Sequence, residues 1–427
     1  VEEALPYRFR GLAGRFTYGF DDRYFAEFNF GYNGSENFTP KNRYGFFPSV
    51  GLGWVISNES FFEPLTNVIQ YLKVRGTWGQ VGNSQISGRR FAYLATVTDS
   101  SSTSYTFGKN MDQNYGTTAI DEYAVDVTWE VADKTDIGVD MRLLNNKLNL
   151  QFDYFKESRE GIYLRRSSIP SYVGMINNPY GNIGKVENKG FELSVNYANS
   201  WGGDWSLSLM GNYSFNRNKV LEDDSTVVYP WQNTIGNKVG QRFGLVALGL
   251  FESYGEIAAS PVQTGDTRPG DIKYKDINGD GKIDEYDKVP IGWGSVPEIM
   301  YGFGFSVGWK NLSLTAMFQG VAHVDAMLSG EGVLPFSQGS SRGNLLSNIT
   351  DRWTEENPRQ NAFYPRLSIG NINMNYEEST WWLKDTDYLR LKNIELSYRL
   401  PDHWMKRIHL DNARIFIQGV NLLTFSS

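Results

Sequence analysis

Cysteine is absent from the chain, so it has neither a disulfide framework nor thiolate chemistry. Histidine is nearly absent too. His323, His403 and His409 fall in no HExxH arrangement, and no GxSxG or phosphate-cradling glycine loop accompanies them, so no catalytic residue is assigned. A basic excess is missing: 41 Lys and Arg face 48 Asp and Glu, for a net charge of −7, which argues against nucleic acid as a partner. The opening residues Val1-Glu-Glu-Ala-Leu-Pro6 are neither basic nor followed by an apolar core, so they do not read as a signal peptide. Long apolar runs are lacking as well. The longest, Phe243–Phe251, is too short to cross a membrane as a helix. That excludes a spanning helix only. Barrel strands need about 9–11 alternating residues and keep average hydropathy low.

Aromatic residues and glycine are abundant: 26 Phe, 25 Tyr, 12 Trp and 44 Gly in 427 residues. They sit in segments of period two. Leu148, Leu150, Phe152 and Tyr154 alternate with Lys147, Asn149, Gln151 and Asp153. The same pattern runs through Tyr24–Tyr32, Gly190–Tyr197, Asp204–Asn216, Tyr301–Trp309, Leu312–Gly320 and Ile394–Leu400. These segments exceed the usual strand length of soluble proteins, about 5–6 residues. Some pairs are joined by short turns such as Asn145-Asn146 and Lys310-Asn311. Others are separated by long polar stretches at 82–122, 156–188, 217–242, 252–298 and 321–380. Short turns on one side and long loops on the other predict an all-β, transmembrane antiparallel β-barrel, with about 14–16 strands in this chain. Asn344–Trp353 reads as a helical patch inside one loop. Residues 10–20 and 414–425 read as strands without visible partners. An open edge in lipid is costly, so the expectation is that the chain is part of a longer barrel.

One loop carries a ligand pattern. Asp276, Asn278, Asp280, Lys282 (through its carbonyl), Asp284 and Asp287 have the spacing of a calcium loop, with Gly281 at the sharp turn. Oxygen-only ligands favour calcium over zinc. The structural alternative is an acidic turn held by its own Asx-type hydrogen bonds. Asp287 stands where the EF-hand has Glu, which shortens its reach, and no helix pair flanks the loop. The loop falls within the long stretch 252–298, expected on the extracellular side. Tyr172, Tyr180, Trp231, Trp293 and Phe336 are loop aromatics for which packing weighs more than stacking on a ligand. Asp121, Glu122, Asp223 and Asp224 read as solvated loop charge.

Several phrases, taken in order, resemble the SusC/RagA family of TonB-dependent outer-membrane transporters of Bacteroidetes. They are Leu72-Lys-Val-Arg-Gly-Thr-Trp-Gly-Gln-Val-Gly-Asn83, Asn188-Lys-Gly-Phe-Glu-Leu193, Gly240-Gln-Arg-Phe-Gly244, the acidic stretch 271–287, Trp382–Tyr398 and Gly419-Val-Asn-Leu-Leu-Thr-Phe425. The resemblance implies a barrel of 22 strands around a plug, with energy supplied by the TonB complex. It also implies a SusD-like surface lipoprotein as lid and oligosaccharide or peptide as cargo. Residues 1–427 would then be a partial transmembrane barrel domain in contact with outer-membrane lipid. Plug, TonB-contacting segment, early strands and last strands would lie outside it. Calcium would be a structural ligand that stiffens the loop for the lid. Two alternatives are a TonB-dependent siderophore or cobalamin receptor without a lid, and a secreted calcium-dependent binding module. The second needs a duplicated loop with helices, and one copy is present.

Overall fold

A computed structural model describes residues 8–86, 90–111, 113–336, 345–370, 372–407 and 409–426. Its main feature is one sheet of 12 strands, ordered as they occur in the chain. They are β1 (Phe9–Phe20), β2 (Tyr24–Ser35), β3 (Tyr44–Val55), β4 (Ile69–Asn83), β5 (Glu130–Leu143) and β6 (Leu148–Arg165). Then come β7 (Tyr180–Trp201), β8 (Trp205–Glu222), β9 (Ile299–Trp309), β10 (Leu312–Ala322), β11 (Tyr388–Arg399) and β12 (Arg414–Ser426). Neighbours from β1 to β8 pair antiparallel. β1 and β12 are the outermost strands.

Turn chemistry sets the connections at one end. Asp21 and Asp22 both have left-handed backbone, the geometry of a two-residue hairpin turn whose twist matches its strands. Leu144, Asn145 and Asn146 do the same between β5 and β6, and Lys310 between β9 and β10. In a meander, alternate connections fall at opposite ends. The β2–β3, β4–β5, β6–β7, β8–β9 and β10–β11 connections therefore share the other end, and the three longest, 84–129, 223–298 and 323–387, are all among them. The expected asymmetry is present.

Register sorts the side chains. On one face Phe16, Phe28, Val50 and Trp78 lie in a row across four strands; Ile137, Tyr154, Phe191 and Phe215 form another across four more. Many of these are exposed, as suits a face solvated by hydrocarbon. Stacked aromatic pairs bracket the band on β2 and β3: Tyr24 with Trp54 at the turn end and Tyr32 with Tyr44 at the other. Their spacing along β2 is about 27 Å, or about 20 Å across a bilayer once tilted, close to the roughly 25 Å apolar band of such barrels.

Three sequence readings need correction. The sheet has 12 strands, not 14–16, because the alternating patches inside the long connections form separate two-stranded ribbons, such as Thr96–Phe107 with Gln113–Glu122. The stretch 156–188 is not loop throughout, since β6 continues to Arg165 and β7 starts at Tyr180. Likewise β8 runs to Glu222. There the strands outlast the apolar band and are held by cross-strand ion pairs, Lys134–Glu157 at 3.1 Å and Lys185–Glu160 at 2.5 Å, so dense charge mimics a loop in sequence. Finally, Asn344 lies outside the described residues, and within the expected helical patch only Ser347–Thr350 turns, as a 3-10 segment.

The chain divides into two compact units. The first takes in the residues up to Thr226, Tyr301–Met317 and Asn393–Gly419, and holds most of the sheet. The second begins with Val227–Met300 and Phe318–Lys392. It has its own core of Leu245, Leu250, Ile272, Tyr274, Ile283, Tyr364 and Trp382. Asp271 is sealed within it. Its carboxylate accepts Arg366 Nε and Nη2, both at 2.9 Å, Asn375 Nδ2 at 2.8 Å, Asn373 Nδ2 at 3.1 Å and the Arg268 amide at 2.8 Å. Burial pushes the Tyr274 phenol well above its ordinary range, and its hydroxyl donates to the Met374 carbonyl at 2.9 Å.

Candidate functional site: the polar sheet face and the long connections

The second face of the sheet is polar. Arg75 on β4 reaches Asp136 on β5 at 3.0 Å, Asp140 at 3.4 Å, and Asp153 on β6. Gly138 lies between β4 and β6 on this face. A Cβ there would collide with both the Arg75 guanidinium and the Asp153 carboxylate, so glycine is what lets the arginine cross a whole strand. One cation against three carboxylates leaves this cluster acidic. Nearer β1, Arg15 pairs with Glu27 at 2.7 Å, and Glu27 also accepts Asn29 Nδ2 at 2.7 Å. A recess of about 490 Å³ opens on the same face, lined by Thr17, Glu27, Ser49, Gly51, Lys73 and Arg75 among others. Such a wall offers donors and acceptors to a hydrated solute. The sequence carried the signal, since Lys73, Arg75 and Thr77 alternate with Leu72, Val74 and Trp78. Assigning it required knowing which strands stand beside β4.

The acidic loop is ordered by its own backbone. Asp276 accepts the amides of Gly279 at 2.7 Å and Gly281 at 2.9 Å. Asn278 Oδ1 accepts the Asp280 amide at 3.0 Å, and Asp280 Oδ1 accepts the Lys282 amide at 2.9 Å. Asp284 accepts the Tyr286 amide at 2.8 Å. Asp287 is fully buried, accepting the amides of Ile277 at 2.7 Å and Asp284 at 2.9 Å. Gly279 and Gly281 both take positive φ, and Ile283 anchors the loop in the core. Among the described residues no three Asp, Glu, His or Cys side chains gather as a metal-holding group. As the loop stands, its carboxylates and amide oxygen accept backbone amides and Asp287 faces inward. Next to it, burial lowers the Lys288 pKa, but Glu285 at 2.7 Å and Glu377 at 3.4 Å outweigh that and raise it above its ordinary value.

Most of the loop aromatics pack on their neighbours. Trp231 stacks on Tyr229 at 4.6 Å and donates from Nε1 to the Tyr286 carbonyl at 2.8 Å, tying its segment to the acidic loop. Trp293 stacks on His323 at 4.0 Å, and Tyr180 on Tyr163 at 4.9 Å. Phe336 has left-handed backbone, and its carbonyl accepts the Gly370 amide at 2.9 Å. Tyr172 stands out, 88% exposed. Three of the four acidic residues read as solvated charge, Asp121, Asp223 and Asp224, act as fasteners. Asp224 accepts the Ser168 amide at 3.0 Å and hydroxyl at 2.7 Å, bonds that hold its carboxyl below its ordinary value. Asp121 accepts Asn177 Nδ2 at 2.9 Å, and Asp223 accepts the Ser225 amide at 3.0 Å.

A meander with one apolar and one charged face and its longest connections at one end agrees with comparison to known proteins. Residues 7–422 match the family described as TonB dependent receptor-like, beta-barrel. The chain belongs to this family. It is 29% identical over 430 residues to TonB-dependent receptor P3 of Formosa agariphila, covering 97% of the chain and 40% of that protein. To TonB-dependent receptor SusC of Bacteroides thetaiotaomicron it is 27% identical, covering 92% of the chain and 38% of that protein. Among solved structures the fold matches the RagAB peptide transporter with a TM-score of 0.71 at 22% identity, over 98% of this chain and 44% of that one. The RagAB importer in its open-open state gives 0.72 at 21% identity, over 99% and 44%. The chain therefore spans about two fifths of the length of these curated relatives. Family membership places it in the outer membrane, with the apolar sheet face toward lipid and the charged face toward the barrel interior.

Proposed function

We propose that this chain supplies the cargo-facing wall and external loops of a TonB-dependent importer of oligosaccharides or peptides that works with a SusD-like surface lipoprotein. The carrying observation is the two-faced meander whose longest connections all leave one end. It combines a polar wall for a hydrated cargo with extended surface for a lid. The SusC and RagAB relatives support the lipoprotein partner, and the RagAB name, a peptide importer, supports keeping peptides beside oligosaccharides. TonB acts, in this reading, through parts of the protein outside the chain. The test is uptake of labelled oligosaccharide and peptide pools by cells carrying the full-length protein, with and without TonB, together with affinity purification of the lipoprotein. Uptake that requires TonB and co-purification of the lipoprotein are expected. Iron-chelate or cobalamin uptake without a lipoprotein partner would replace this reading with that of a lidless receptor.

Calcium enters the same proposal as a structural ligand of loop 276–287. Support comes from the oxygen spacing and from chemistry, since a carboxylate oxygen that accepts one amide keeps a further lone pair for a cation. Asp276→Ala with Asp280→Ala should remove one bound calcium and weaken lipoprotein retention. Unchanged metal content eliminates the site; lost calcium with full retention eliminates its role in docking.

A further inference from the structure

At the turn end of the sheet the connections 21–23, 144–147, 202–204 and 310–311 are tight, whereas β3 and β4 are joined by the much longer 56–68. This segment folds as two 3-10 turns, Ile56–Asn58 and Ser60–Leu65. It is fastened at three points. Asn58 Nδ2 donates to the Asp22 carbonyl in the β1–β2 turn at 2.9 Å. The Val68 carbonyl accepts the Leu144 amide in the β5–β6 turn at 3.2 Å. Between them Glu59, its side chain 9% exposed, accepts the Tyr24 hydroxyl at 2.5 Å, Trp54 Nε1 at 3.0 Å and Arg23 Nη1 at 3.1 Å. Tyr24 and Trp54 are the stacked pair that closes the lipid-facing band at this end. Such aromatics ordinarily send their polar tips to water or headgroups. Here Glu59 takes both tips, so the segment is bound to the aromatic border itself.

The local fold then sorts the side chains. Phe62 turns inward and is buried, whereas Phe61 lies edge-on to the Trp54 ring at 6.4 Å, on the lipid side. Phe61, Leu65 and Val68 are each more than half exposed. The charges around them are mostly acidic: Asp21, Asp22 and Glu63 are exposed, and the nearby cation, Arg23, is already paired with Asp21 and Glu59. We infer that residues 56–68 form an interfacial anchor. Phe61, Leu65 and Val68 lie in the boundary between acyl chains and headgroups at the turn end, and the surrounding carboxylates face the ammonium groups of a zwitterionic phospholipid. Two observations select this occupant. The exposed apolar groups continue, through the contact of Phe61 with Trp54, a band already turned to lipid. The excess of carboxylates suits a headgroup that carries a positive charge and disfavours an anionic one. A short segment with apolar and polar sides lies in the plane of the interface, its apolar side about 5–10 Å into the headgroup–acyl boundary. This anchor follows from the place of the sheet in the outer membrane and not from the cargo or the lid.

The experiment uses the full-length protein in phospholipid vesicles. Phe61→Cys, Glu63→Cys, Leu65→Cys and Val68→Cys, made one at a time, carry a bimane fluorophore; this chain contributes no other cysteine, and any outside it is replaced by serine. The labels at 61, 65 and 68 should be quenched severalfold more by phospholipid with a doxyl group near the top of its acyl chain than by aqueous iodide, added in high salt so that the carboxylates do not repel it. The label at 63 should show the reverse. Iodide quenching at 61, 65 and 68 equal to that at 63 overturns the anchor. So does shielding that is present in cells and missing in vesicles, which would assign the surface to a periplasmic protein. At low salt, doxyl phosphatidylethanolamine should quench the label at 61 more than doxyl phosphatidylglycerol does; equal or weaker quenching overturns the headgroup assignment. Glu59→Ala frees the Tyr24 and Trp54 donors and should raise iodide quenching at 61 toward that at 63. An unchanged label would remove Glu59 as the clamp. The labelled proteins that keep Glu59 decide the anchor even if the alanine variant fails to fold.

Discussion

Asp271 shows what a single buried charge does in the second unit. Its five hydrogen bonds come from Arg366, Asn373, Asn375 and the Arg268 amide, and Asn375 in turn accepts the Ile272 amide at 2.8 Å. Removing the carboxylate would strand a buried guanidinium and two amide groups. Asp271→Ala should therefore destabilise this unit by about 3–5 kcal/mol, the usual cost of breaking a buried pair. Hydrogen exchange should show it: the amides of Ile272–Tyr274 lose protection while those of β6 and β7 keep theirs. Asp271→Asn, which retains an acceptor, should fall between the two. Equal protection in the alanine variant would mean that the apolar core alone holds the segment.

The turn between β9 and β10 is the sharpest test of an element. Lys310 has φ of 53°, and its amide donates to the Asp204 carbonyl at 2.7 Å. Left-handed backbone costs a non-glycine residue about 1–2 kcal/mol, and glycine offsets most of that gain by its unfolded-state entropy, about 0.5–1 kcal/mol. Lys310→Gly should thus be neutral within about 1 kcal/mol, whereas a β-branched side chain adds to the left-handed cost, so Lys310→Val should destabilise by about 1–2 kcal/mol. Urea unfolding from lipid vesicles measures both. If valine proves harmless, the turn does not set this hairpin. The Lys310-Asn311 turn was legible in sequence because it separates two clean period-two segments. The outer ends of β6 to β8 were not, because there cross-strand ion pairs replace apolar alternation.

At the scale of the molecule, acid should act on the connections before the sheet. Outside the membrane, the Glu252 amide and Lys273 hold the Glu256 carboxyl below its ordinary value, and Ser168 does so for Asp224. A depressed carboxylate contributes stability that is present above its unfolded pKa and lost as pH falls through the folded one. Both groups are mostly exposed, so each effect is small and screened. Proteolytic nicking near 223–226 and 252–260 should stay constant between about pH 6 and 8 and rise only below the ordinary carboxylate range. The sheet, ordered by backbone pairing, should stay intact over that span. Nicking that already rises near neutral pH would assign these segments' stability to other groups.

By itself the sequence determined the repeating strand, the uneven connections and the kind of protein, because period-two alternation, turn residues and family phrases are local properties of the chain. It also carried the acidic loop as a pattern of oxygen-bearing side chains, without saying which of them turn inward or which amides they hold. Only the tertiary structure decided that Asp287 turns inward and that Asp276 and Asp280 hold backbone amides. It alone brought Arg75 across Gly138 to Asp153, and aligned Ile137, Tyr154, Phe191 and Phe215 in one row. The reason is register. Alternation tells which residues of one strand share a face, whereas the residue opposite depends on how far each strand is shifted along its neighbour. That shift is fixed by bulges, turn lengths and pairing between segments far apart in the chain.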